Sequence, residues 1–300
     1  MMYRSQRPHT GLRITYDELL LKLNDACCWL EECGVSVSIG RVGHYRKILQ
    51  ELIRARGTGN WEPFEAKHPN VWNAIFEALE ILRIHEGLKN CTNERLFSKV
   101  VKAAKGPVLF SENSLANGSG RDISLELLIA AKFASTGLPI DLDGDADLQV
   151  EIFGRELFVE CKRLTSEKSI NNRLKEGLNQ LRGRYETAKY PPDARGILVL
   201  SVSKLYNEKF DIVCGDSISS IQAHAQLFIK NFIRKNSDFI EKYYRDERTI
   251  GAIILLDSPG EINGTFHPGH LVKVAVRKHL DEPDLILIDE ITRIINASWP

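Results

Sequence analysis

The sequence predicts an α/β protein: a mixed sheet flanked by helices, with a mostly helical N-terminal region. Three observations lead there. Apolar residues recur at helical spacing through roughly the first hundred residues. The continuous apolar runs Gly196–Val202, GILVLSV, and Thr249–Leu256 have the character of covered central strands. After the first region the order helix, strand, strand, helix, strand, helix, strand fits a sheet with helices on its faces.

The elements follow in order. Tyr16–Cys33 carries Leu19, Leu20, Leu23, Ala26, Cys27 and Leu30 at helical spacings and stops at Gly34. His44–Arg56 repeats the pattern through Tyr45, Ile48, Leu49, Leu52 and Ile53. Val71–His85 gives an amphipathic helix through Trp72, Ile75, Phe76, Leu79 and Leu82, and Asn93–Ala104 a shorter one. No catalytic cluster is visible here, so residues 1–110 read as a helical domain or extension and residues 111–300 as the functional domain. Arg46, Lys47, Arg54 and Arg56 could face a phosphate backbone, although a solvated helix face needs no such role.

Ser111–Arg121, SENSLANGSGR, is polar and glycine-rich, the composition of a linker or surface loop. A helix is expected from about Ser124 to Thr136, ended by Gly137 and Pro139. A strand hairpin follows, then a long helix from about Glu167 to Ala188 before the break at Pro191 and Pro192. Another helix spans about Ser217–Tyr244, and Leu271–Val276 alternates like an exposed or edge strand. There is no G-x-x-x-x-G-K and no G-x-G-x-x-G beside a strand, so no nucleotide-binding loop is indicated.

A hydrophobic content of 43% and a charged content of 27% are those of an ordinary soluble globular protein. The formal net charge is zero, so any affinity for nucleic acid must come from a local patch. The cysteines at 27, 28, 33, 91, 161 and 214 form no C-x-x-C pair and read as isolated reduced core residues. No signal-peptide pattern or membrane-length apolar stretch is present, and a soluble intracellular protein is expected.

The greatest chemical content lies in Asp147–Lys162, DLQVEIFGRELFVECK. Two strands flank a glycine-containing turn; Asp147 begins the first, and Glu160 and Lys162 end the second. Alternation puts Glu160 and Lys162 on one face and Cys161 on the other. Two carboxylates and an ammonium can then converge at one end of the sheet, a seat for a divalent metal and an activated water. Glu126 lies in the otherwise apolar stripe of Leu125, Leu128, Ile129 and Phe133, where a buried carboxylate needs a cation or strong donors. Asp141, Asp143, Asp145 and Asp147 alternate like a calcium loop, but the glycine placement and terminal glutamate of an EF-hand are missing. Asp147 is the best ligand among them and Asp145 the reserve. From Lys162 to Lys189 eight basic residues meet only Glu167, Glu176 and Glu186, a local patch suited to a polyanion. Its candidate nucleic-acid contacts are Arg163, Lys168, Arg173, Arg182 and Arg184. Gln180 sits near the helix's apolar stripe of Leu174, Leu178, Leu181 and Tyr185, where its amide could orient water or phosphate.

Taken in this order, the residues resemble the PD-(D/E)xK nuclease superfamily, the restriction-endonuclease-like fold. The matching pieces are RDISLELLIAAKFASTG with Glu126, DADLQV with Asp147, and FVECKRL with Glu160 and Lys162. NQLRGRY, with Gln180, looks like the glutamine motif on the following helix in some branches. Ala146 stands where a proline often precedes the first aspartate. The resemblance covers about residues 120–202 and implies a nuclease-like domain within residues 111–300. It implies magnesium or manganese held by Glu126, Asp147 and Glu160, with Lys162 assisting the nucleophilic water. It further implies DNA as substrate, endonuclease activity in restriction or anti-phage defence, and a cytoplasmic location. A homodimer and a helicase or ATPase partner fit such a role, and a membrane partner does not. The alternatives are a non-catalytic nucleic-acid-binding or structural subunit that retains the fold, and an unrelated metal-dependent hydrolase.

Overall fold

Thr15 opens the first helix, α1 (Tyr16–Glu32), with a capping box: its hydroxyl accepts from Glu18 N–H and its own N–H donates to Glu18. The computed structural model describes residues 2–4, 14–106, 108, 119–142, 144, 146–186, 190–208, 211–243, 247–262, 265–267 and 269–297. Helices α2 (Arg41–Thr58), α3 (Trp61–Lys67), α4 (Val71–Leu88) and α5 (Glu94–Ala104) follow α1. Next come α6 (Ser119–Ala134), α7 (Ile170–Tyr185), the short α8 (Ser203–Tyr206), α9 (Ile218–Tyr243) and α10 (Glu282–Asn296).

The main sheet joins β1 (Met2–Arg4), β2 (Ile140–Asp141), β3 (Leu148–Ile152), β4 (Arg155–Arg163), β5 (Arg195–Ser201), β7 (Thr249–Ser258) and β10 (Gly269–Val276). Their order is β1-β10-β7-β5-β4-β3-β2. The three central strands β4, β5 and β7 run parallel, with Lys162 opposite Leu200 and Leu200 opposite Ile254. The outer pairings are antiparallel, so the sheet is mixed as expected. A small second sheet joins β6 (Val213–Cys214), β8 (Gly260–Ile262) and β9 (Thr265–Phe266).

Parallel neighbours need crossovers, and α7 and α9 supply them on one face. Leu174, Leu178 and Leu181 of α7, and Ile229 and Ile233 of α9, share a core with Phe158, Leu198 and Leu200. On the other face α6, α10 and the N-terminal helices share a second core with Val159, Cys161, Val199 and Ile253.

Several expectations change. Helix α6 begins at Ser119, inside the stretch that reads as a loop, because Arg121 is drawn into the core by Glu77 at 2.8 Å. Residues 111–118 of that stretch, and 187 and 188 of the predicted long helix, lie outside the described residues. Glu167–Ser169 is a 3-10 turn rather than the start of α7. The strand around Leu271–Val276 is no exposed edge: β7 and β1 pair with it on its two sides, and α9 and α10 pack against it. Helix α10 also goes beyond the sequence reading, although Asp281 caps it and Pro283 opens its first turn.

Helix α4 is buried on nearly every side rather than amphipathic. Its charged residues are matched by ions from neighbouring elements. Glu77 accepts from Arg41 at 2.6 Å and from Arg121 at 2.8 Å. Glu80 takes two 2.6 Å bonds from Arg163, and Arg83 donates to Asp257 at 2.9 Å. These pairs tie the N-terminal helices to α6, β4 and β7. The cysteines are all free, but Cys28 and Cys214 are exposed rather than core residues. Among the described residues no helix is long and apolar enough to cross a membrane.

Candidate active site

Asp147 directly precedes β3, and the pairing of Leu148 with Val159 sets it beside the end of β4. Its Oδ2 accepts from Cys161 N–H at 2.7 Å, which fixes the carboxylate over the strand. Alternation along β4 does as expected: Cys161 packs with the α6 core, whereas Glu160 and Lys162 alternate with Phe158 and Leu164 of the α7 core. Lys162 Nζ therefore lies 3.8 Å from Asp147 Oδ2 and 3.6 Å from Glu160 Oε2.

Helix α7 lays a matching line over this pair. Glu176, Gln180 and Arg184 are four residues apart and share one helix face. Glu176 Oε1 stands 3.8 Å from Lys162 Nζ, and Arg184 donates to Glu160 Oε1 at 3.3 Å. Gln180 lies between them in sequence, and its Oε1 is enclosed without a hydrogen bond. Gly177 permits the close approach: a methyl group there would lie 2.5 Å from Leu198 Cδ1 and 3.4 Å from Lys162 Cγ.

Glu126 comes from α6, flanked by the buried Leu125, Leu127, Leu128 and Ile129. Its Oε2 accepts from Lys99 of α5 at 2.9 Å, and the same ammonium donates to the Asp147 carbonyl at 3.1 Å. The four expected residues thus belong to one charged network. Glu126 is joined to it by Lys99, and the Asp147 carboxylate lies near enough to act on it directly. Among the described residues no group of three or more His, Cys, Asp or Glu side chains is arranged to hold a metal ion.

The electrostatics follow from burial. The Glu160 side chain has 0% exposure. Burial, then the Asp147 carboxylate, push its carboxyl up to about 8 against the pull of Lys162 and Arg184. Burial and Asp147 also raise Glu126, with Lys99 opposing. Glu160 Oε2 is enclosed and accepts no hydrogen bond. Asp147 and Glu160 are hard oxygen donors of the kind a divalent ion takes, and that enclosed oxygen fits such an ion. Cys161 is no nucleophile: it faces the core, and burial drives its thiol well up.

The expected nucleic-acid contacts divide. Arg163 is a correction: it is 5% exposed, and its guanidinium is committed to Glu80 and to the Arg121 carbonyl. Arg173 is held by Asp122 at 2.7 Å and by Glu176 at 3.1 Å. Arg184 serves Glu160. Lys168 is exposed, as is Arg182, which pairs with Glu186. Of the N-terminal candidates, Lys47 and Arg54 are exposed, Arg46 is half-buried, and Arg56 stacks on Tyr16 and pairs with Glu261. Asp141 is exposed on β2, while Asp143, Asp145 and Lys189 lie outside the described residues.

Sequence reasoning missed Lys99, Glu176 and Gly177. Lys99 sits in a region without any cluster in the sequence, and only packing of α5 on α6 brings it to Glu126. Glu176 and Gly177 had a usable signal: the first is four residues before Gln180, and the second is a glycine inside a helix. Comparison of the chain with protein-family models, with curated proteins and with solved structures finds no match in any of the three.

Proposed function

We propose that the chain is a metal-dependent nuclease that hydrolyses phosphodiester bonds in DNA, built on a restriction-endonuclease-like sheet. The observation that carries this reading is the Lys162 ammonium held within 3.8 Å of both Asp147 and Glu160 where β4 ends. Two carboxylates and an amine so placed match the needs of phosphodiester hydrolysis: charge compensation and an oriented water.

Asp147 and Glu160 would hold magnesium or manganese. Such an ion, when bound, neutralises phosphate charge and makes water more acidic. Lys162 donates to the attacking water or to a non-bridging phosphate oxygen, and Glu176 keeps its ammonium in place. Arg184 orients Glu160, and the Gln180 amide offers a further polar contact. Exposed Lys168 and Arg182 contact the phosphate backbone without reading bases. Restriction or anti-phage defence is the role this chemistry suits.

The test is a substrate panel with the full chain: duplex DNA, single-stranded DNA, RNA and small phosphodiesters, with Mg2+, Mn2+ or EDTA. Metal-dependent DNA cleavage is the expected result. Cleavage of RNA or small phosphodiesters alone contradicts the substrate. Binding without cleavage, equal in the wild type and Lys162→Ala, points to a non-catalytic subunit.

A further inference from the structure

The two halves of the acidic site are compensated differently. On one side Lys99 Nζ bridges Glu126 Oε2 at 2.9 Å and the Asp147 carbonyl at 3.1 Å. A carboxylate oxygen and a main-chain carbonyl are the hard ligands a second divalent ion would use. On the other side Lys162 stands 3.6 Å and 3.8 Å from the Glu160 and Asp147 carboxylates, beyond hydrogen-bond reach. There Glu160 Oε2 remains enclosed without a donor.

We propose that Lys99 is a built-in cation: it occupies the position of a second metal, so that the site takes one divalent ion, between Asp147 and Glu160. This rests on the nuclease reading and deepens it. Lys99 is a positioning residue in this account. It orients Glu126 and the Asp147 main chain, and α5 thereby contributes to a site otherwise built from α6, β3, β4 and α7. Entry of a second ion would have to expel an ammonium whose side chain is 21% exposed and bring two divalent charges close together. Removing the ammonium opens two oxygen ligands and removes the repulsion.

The probe is Mn2+ alone, titrated into the full chain and followed by electron paramagnetic resonance, with circular dichroism as the check on folding. The wild type and Lys99→Arg should bind one ion per chain. Lys99→Met, which keeps the stem and loses the charge, should bind two, with the spin coupling of ions about 4 Å apart. Two ions in the wild type overturn the proposal and leave the nuclease reading standing. A single ion in folded Lys99→Met also overturns it. If Lys99→Met does not fold, the wild-type stoichiometry decides. No site-specific binding in the wild type sinks the metal site itself, and with it the reading on which Lys99 was interpreted.

Discussion

Glu160 and Lys162 lie two residues apart on one face of β4, with Oε2 and Nζ 3.6 Å apart, under a helix that gives each an opposite partner. The pair is a deliberate juxtaposition in energetic terms, because both side chains are almost wholly enclosed. Lys162→Met keeps the stem that packs under Gly177 and removes only the charge. DNA cleavage should fall by about a hundredfold to a thousandfold, the usual loss when one preorganised donor is removed. Mn2+ affinity should hold or rise, since a neighbouring positive charge is gone. Single-turnover cleavage and Mn2+ titration separate the two effects.

Glu160 makes stability depend on pH. Its carboxyl is pushed up to about 8 in the folded chain, whereas it ionises at about 4.3 when unfolded. Between those values the folded state holds a proton that the unfolded state has released, so stability falls as pH rises through this window. Glu160→Gln lacks the ionisation. In EDTA the melting temperature of Glu160→Gln should rise relative to that of the wild type between about pH 5 and pH 8. Mn2+ should narrow the gap at the upper end. A gap that does not change with pH would count against the placement of this carboxyl.

Gly177 sets how closely α7 approaches β4. In Gly177→Ala the new methyl meets Leu198 Cδ1 at 2.5 Å, and it touches the Lys162 stem at van der Waals distance, 3.4 Å from Cγ. Overpacking of this sort costs about 1–3 kcal/mol, and turnover should fall more than DNA binding does. Thermal denaturation and a comparison of Kd with single-turnover rate check this. Gly183, in the same helix with open space around it, is the control: Gly183→Ala should leave both properties near wild type.

Arg163 and Arg182 should behave in opposite ways. Arg163→Ala leaves buried Glu80 without its cation and should cost about 3–5 kcal/mol of stability. Arg182→Ala changes an exposed pair and should cost less than about 0.5 kcal/mol, while weakening DNA binding and lowering its salt dependence. Chemical denaturation and binding at two salt concentrations distinguish them.

What was legible in the sequence follows from how local each signal is. The strand parity of Glu160, Cys161 and Lys162 depends only on alternation, and the structure keeps it. The apolar runs of β5 and β7 similarly announced covered central strands, though not their parallel pairing. Asp147 and Glu160 were connected by a short hairpin, so their proximity was a local matter. Lys99 was hidden because its partners, Glu126 and Asp147, are 27 and 48 residues away. Arg163 looked like part of a basic patch because Glu80, which buries it, is 83 residues earlier. Glu77, Glu80 and Arg83 marked α4 as half-exposed for the same reason. Their counter-ions lie on α2, α6, β4 and β7, and no periodicity within α4 reports them.

Asp147→Asn tests the central claim most directly, because the amide oxygen can still accept from Cys161 N–H while the charge is lost. Cleavage of duplex DNA at saturating Mg2+ should vanish, with the circular dichroism spectrum and melting temperature close to those of the wild type. Wild-type cleavage by a folded Asp147→Asn chain would contradict the assignment of a hydrolytic centre to Asp147, Glu160 and Lys162.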